Sequence, residues 1–161
     1  MAWTTPRTWV AGETVTAALM NTHVRDNLAT ILPSGTGWTT PTFAAGDYTA
    51  SGSMTWTVAS GDALLHKYIV IGKTVHMHLV LSATTVGGTP STGLRVALPA
   101  GLTLSGSSRG VHWYSDNGTE GFGGYVVNST YIEFFKSSSG SNWTASTNNT
   151  AIYASITFEV A

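Results

Sequence analysis

Two stretches of strict alternation decide what this chain can fold into. In "TVHMHLVL", residues 74–81, Val75, Met77, Leu79 and Leu81 fall on one side, and Thr74, His76, His78 and Val80 on the other. In "AIYASITFEV", residues 151–160, Ile152, Ala154, Ile156, Phe158 and Val160 alternate with Tyr153, Ser155, Thr157 and Glu159. A period of two sends successive side chains to opposite faces of a strand, so each stretch reads as a half-buried antiparallel strand. "MTWTV" at 54–58 reads the same way, and further strands are predicted at 63–71, 93–98, 109–115, 122–127 and 130–136. Gly72-Lys73, Gly87-Gly88, Asn117-Gly118 and Asn128-Ser129 mark the turns between them. Strands at this spacing predict an antiparallel β-sandwich or barrel, jelly-roll-like, over residues 34–161.

Composition narrows what such a domain can do. Only 9% of the 161 residues are charged, against roughly 25% in an average soluble protein. Thr, Ser, Gly and Asn make up the difference, which predicts a neutral, hydroxyl-rich surface. The net charge is −1 and the seven Lys and Arg never cluster, so nucleic acid is not an expected partner. The absence of cysteine excludes disulfides, thiolate metal sites and a Cys nucleophile. No basic region leads into an apolar core at the N-terminus, and no apolar run approaches the length of a membrane span. The expectation is synthesis in a cytoplasm with no membrane partner.

Residues 1–33 follow a different pattern. An irregular arm carries Trp3, Pro6, Trp9 and Gly12. Thr16 is a credible N-cap for a helix that Pro33 stops. Ala17, Met20, Val24, Leu28 and Ile31 step by three or four residues and draw one apolar stripe, opposite Asn21, Thr22, Arg25, Asp26 and Thr30. A helix this short needs something to bury its stripe against. Packing on the chain's own β domain and association between copies both satisfy that need. The narrow seam, with Ala17, Val24 and Ile31 seven apart, is what helices of a small bundle present to one another.

Residues suited to chemistry are sparse. His76 and His78 share the polar face of one strand. Two imidazoles are too few to close a metal site, although a three-fold axis would bring six together. No metal or cofactor is therefore expected, with these two histidines the only candidates. No G-x-S-x-G turn is present. Asp116 and Glu120 flank "DNGTE", where Asp and Asn serve a hairpin tip. These absences predict a protein that is not an enzyme. Trp113, Tyr114, Tyr125 and Trp143 sit among Ser, Asn and Gly, a mixture that suits stacking on sugars or contact with another protein. The same rings could instead cap a small core.

Two stretches carry a resemblance. "MAWTTPRTWVAGETVTAALMNTHVRDNL" resembles the N-terminal segment of short virion structural proteins of tailed bacteriophages, of tail-fibre or minor structural type. The matching residues are Trp3, Pro6, Thr8-Trp9, Gly12-Glu13, Val15-Thr16-Ala17, Asn21, His23 and Arg25-Asp26-Asn27-Leu28. "YIVIGKTVHMHLVL" with "GLRVALPAG" is similar to the β-rich tips of phage fibres, through Ile71-Gly72, Val75 and Leu98-Pro99. The resemblance covers about half of the chain. It implies a homotrimer on the virion surface, with the N-terminal part attached to capsid or tail proteins and the β domain facing out. It implies no catalytic residue. The chain lacks a shaft, which suits a short tail or head fibre or a capsid decoration protein. On this reading Trp3 and Trp9 anchor to a neighbouring virion protein, and Met20, Val24, Leu28 and Ile31 form the seam between copies. A host-surface glycan bound through Trp113, Tyr114, Tyr125 or Trp143 is the alternative, and a polysaccharide hydrolase the reading of last resort.

Overall fold

The computed structural model describes residues 4–31 and 37–161. Trp3 and the side chain of Ile31 lie outside the described residues. The β domain is a single nine-stranded antiparallel sheet curled into a nearly closed barrel. Its strands are β1 (Tyr48–Ala50), β2 (Met54–Thr57), β3 (Ala63–Ile71), β4 (Thr74–Gly88), β5 (Gly93–Ala97), β6 (Ser108–Asp116), β7 (Thr119–Val127), β8 (Tyr131–Phe135) and β9 (Ser146–Glu159). The order around the barrel is β1-β5-β8-β7-β6-β9-β4-β2, with β3 also paired to β4. The two end strands, β1 and β2, follow one another in sequence and lie side by side. Buried Ser51, in the turn that joins them, is tied to the start of β5: its N–H donates to Gly93 O (2.9 Å), its Oγ accepts from Gly93 N (2.9 Å), and Oγ also bonds Ser91 Oγ (2.8 Å).

The alternation in 74–81 and 151–160 is what builds the wall. β4 and β9 pair residue by residue from Thr74↔Glu159 to Leu81↔Ile152, so both apolar sets face inward together. β4 then continues past a bulge between Leu81 and Thr84, where Ala83 takes the left-handed φ of 58°. The bulge bends the strand. Its first half pairs with β3 and its second half with β2. Thr84 holds the bend from inside, accepting from Trp56 Nε1 (2.9 Å) and donating to Thr150 O (2.9 Å). The hairpin between β6 and β7 turns on Asn117 and Gly118, both at positive φ (50° and 79°), the conformation of a type I′ turn.

The core runs from Met77, Leu79 and Leu81 through Leu94, Val96, Ile132 and Phe134 to Ile152 and Ile156, all fully buried. Trp143 closes it, 1% exposed, with its Nε1 donating to Phe134 O (3.3 Å). Beside it lies Asp116, whose sequence position suggests a hairpin-tip role. It faces inward instead, accepting from Lys136 Nζ (2.5 Å), Thr144 N (3.0 Å) and Thr144 Oγ1 (2.8 Å). A carboxylate this buried needs such partners.

The N-terminal segment folds on itself. Thr16 caps α1 (Ala17–Met20) by accepting from Leu19 N, as the sequence predicts. The helix is not uniform: a π turn, Asn21–Arg25, separates α1 from α2 (Asp26–Ile31). There the Asp26 N–H reaches back five residues to Asn21 O. Asn27 supplies the reason. Its side-chain amide donates to His23 O (3.1 Å) and to Thr4 O (2.9 Å), while its Oδ1 accepts from Thr4 N (2.9 Å). A side chain inserted into the helical ladder opens it in this way. Asn27 thus pairs with the arm as a neighbouring strand would. Arg7 pairs with Glu13 and lies over the Trp9 ring, which meets His23 edge-on.

Candidate interaction surfaces

The apolar stripe of the helix is open. Met20, Val24 and Leu28 are 44%, 39% and 54% exposed. The face that carries His23 and Asn27 is taken by the chain's own arm. No described residue of the N-terminal segment belongs to the barrel core or packs against it. Trp9 is 41% exposed beneath Arg7.

The candidate binding aromatics are split by the pleat. Tyr125 and Trp143 are buried in the core, and Tyr114 points inward against Trp143. The structure therefore removes Tyr125 and Trp143 from the candidate surface. Strand direction explains this: β6 and β7 place Gly110, Gly121 and Gly123 on the inner face, and the rings of Tyr125, Tyr114 and His112 fill the volume those glycines leave. Trp113 alone of the four faces outward, packed on Tyr153 with ring centroids 4.4 Å apart.

Trp113 belongs to a row that sequence reasoning missed. The register places Phe122, Trp113, Tyr153, Val80 and Leu65 side by side on β7, β6, β9, β4 and β3. Phe122 is 79% exposed and Val111, two residues from Trp113 on the same face, is 76% exposed. Alternation was the available signal, but with glycines inside and apolar residues outside it points the wrong way.

Next to this row the outer wall has a notch of about 450 Å³, lined by Arg109, Gly124, Val126, Phe135, Ser137 and Ser138 among others. Gly124 pairs with Val111 on one side and Phe135 on the other. A Cβ at Gly124 would meet nothing nearer than Gly110 O at 3.7 Å, and its φ is not positive. Neither packing nor backbone conformation demands glycine there. Arg109 and Lys73 are the cations without a carboxylate or ring partner among the described residues.

His76 and His78 both face outward. His76 Nδ1 bonds Thr157 Oγ1 (3.1 Å) and His78 lies under Trp38, ring centroids 5.1 Å apart. Among the described residues no three His, Asp or Glu side chains approach closely enough to hold a metal ion. His66 lies between two depressions of about 250 and about 400 Å³ that share it and Pro41. Burial lowers the His66 pKa, partly offset by Asp47, and its Nδ1 sits 3.4 Å from Tyr48 Oη. Burial, followed by the Asp47 charge, raises the Tyr48 phenol.

His112 is the most unusual ionisable group. It is 3% exposed, with Phe134 edge-on (5.1 Å between centroids), Tyr114 at 6.0 Å and Trp143 at 6.5 Å. Neither ring nitrogen has a hydrogen-bond partner. Burial pushes its pKa down to about 4. The imidazole is used here as a flat core filler.

Comparison of the chain with protein-family models, with curated proteins and with solved structures returns no match in any of the three.

Proposed function

We propose that this chain is a non-enzymatic structural protein of a tailed-bacteriophage virion, displayed on the particle surface as a short fibre or decoration protein. Three copies associate through residues 1–33, which also dock on a neighbouring capsid or tail protein, and the barrel faces out. The observation that carries the assembly half is the open stripe. Among the described residues Met20, Val24 and Leu28 keep 39–54% of their surface exposed, and none of them contributes to the barrel core. The arm already occupies the helix's other face, so the stripe is what the segment has left to offer. The virion setting rests on the resemblance of residues 1–28 and of the Ile71-Gly72 hairpin.

Light scattering on the purified chain tests the assembly. The expected mass is three times the 16.9 kDa chain. Val24→Asp with Leu28→Asp should yield monomers that keep the barrel's circular dichroism. A wild-type chain that stays monomeric at tens of micromolar would sink the proposal. The virion setting is tested separately, by binding of the chain to purified capsid or tail proteins and loss of binding in Trp9→Ala.

A further inference from the structure

We infer that the notch over Gly124 is a binding site for a carboxylated sugar, a uronic-acid or sialic-acid type residue. The inference stands on the barrel alone and does not need the assembly reading, because one chain supplies every wall. Three observations converge on it.

The first is the cavity. Gly124 lies midway along β7 between outward Phe122 and outward Val126, and its missing side chain leaves a depression bordered by Arg109, Val126 and Phe135. The glycine is not required by its neighbours, since the nearest atom to a built Cβ is 3.7 Å away. Gly123 next to it is required: a Cβ there would stand 2.0 Å from Phe135 O. The space over Gly124 is a feature of the outer surface, while the glycines around it serve the core.

The second is the chemistry of the lining. Phe135 supplies an aromatic side chain to the lining, which suits the C–H face of a pyranose. Ser138 is exposed and makes no hydrogen bond to a described residue, so its hydroxyl is available to a ligand hydroxyl. Ser137 Oγ organises the loop behind it through Ser139 Oγ (3.0 Å), Ser141 Oγ (2.9 Å) and Ser141 N (3.1 Å).

The third is charge. Arg109 is exposed at the edge of the notch with no carboxylate partner. The row it belongs to runs Arg109, Val126, Glu133, Arg95 across β6, β7, β8 and β5. Glu133 is engaged by Arg95 at 2.8 Å and lies two strands away, about 10 Å. An arginine in a protein of net charge −1 has no long-range field to contribute, so its value is local. Guanidinium geometry favours a bidentate carboxylate.

A peptide fits less well. An extended peptide binds a sheet by adding a strand to an open edge. β7 over Gly124–Val127 and β8 over Tyr131–Phe135 are paired on both sides, so the strands that floor the notch have no free backbone groups for an added strand, while β6 over Ser108–His112 is paired with β7 alone. A saccharide needs only the faces and hydroxyls that are present.

The test is binding by calorimetry and by ligand-observed NMR of trigalacturonate and sialyllactose, each beside its uncharged counterpart, a galactose trisaccharide and lactose. At least one acidic sugar should bind, and its neutral counterpart about tenfold more weakly or not at all. Gly124→Val should fill the notch and abolish binding while the thermal midpoint holds. Gly124→Ala provides the same test should the larger side chain disturb the fold. Arg109→Gln should erase the preference for acid over neutral sugar. Binding of neither acidic sugar at millimolar concentration would overturn the proposal. So would equal binding of acidic and neutral forms, binding that survives both Gly124 variants in folded protein, or capture of a peptide C-terminal carboxylate in place of sugar.

Discussion

Acidification should destabilise the barrel, chiefly through His112. In the unfolded chain its imidazole titrates near 6.5; folded, it stays neutral down to about 4. Between those values the unfolded chain binds a proton that the native chain excludes. The His112 contribution is therefore level above pH 6.5, and stability falls as pH drops toward 4. The gap of about 2.5 pH units, at about 1.4 kcal/mol each, gives a loss of about 3 kcal/mol. For a domain of this size that is a fall in Tm of about 6–12 °C. His66, also lowered by burial, acts in the same direction, so the wild-type curve alone does not isolate His112. His112→Phe does. The ring nitrogens have no partners to lose, and a phenyl ring keeps the contacts with Phe134, Trp143 and Tyr114. The assay is Tm by circular dichroism from pH 7.5 to 4 on both proteins, with the His112 ring followed by NMR. The variant should show a shallower pH dependence, whatever its absolute Tm. Parallel curves for the two proteins, or a native His112 that titrates near 6.5, would refute the reasoning.

Three further outcomes follow from the packing. Lys136→Met should cost about 3–5 kcal/mol in urea unfolding, because it leaves the Asp116 carboxylate buried without its cation, whereas Asp116→Asn with Lys136→Met should recover part of that. Gly123→Ala should destabilise the barrel by more than about 3 kcal/mol, since the methyl would meet the fixed carbonyl of Phe135, while Gly124→Ala one residue on should be nearly neutral. Asn27→Ala should release the arm from the helix, seen as faster amide exchange and proteolysis over residues 4–12, with the barrel's Tm unchanged.

Much of the wall was legible. β3 falls at 63–71 as predicted, and the β4 and β9 faces are those the alternation assigned. A long run of branched residues leaves no ambiguity about which side is dry. The site was harder to read. In β6 and β7 the inner face carries Gly110, Gly121 and Gly123, whose space is filled by rings from across the strand pair. Inner and outer hydrophobicity are then reversed, and Phe122 and Val111 stand in solvent. Trp143 misleads for a related reason: a ring that plugs the core can be delivered by a Ser- and Asn-rich loop, since only the ring enters. The π turn depends on Asn27 meeting Thr4, a contact 23 residues apart that local propensity does not encode. β1, three residues long behind a 3-10 turn at Ala45–Asp47, is too short to show a period.

The join between the two parts of the chain has a mechanical consequence. Among the described residues, the chain that leads into the barrel is first clasped to it at Thr39. There Thr39 is bridged to Tyr68 on β3 by two hydrogen bonds, of 2.7 and 2.9 Å. Trp38 is held beneath Lys67, 4.9 Å from its Nζ, and against His78. Tension thus reaches β3 and then its partner β4 first. Under force this clasp should yield before the β4–β9 ladder does. A barrel tethered in this way could lose its leading residues to a tug and remain folded.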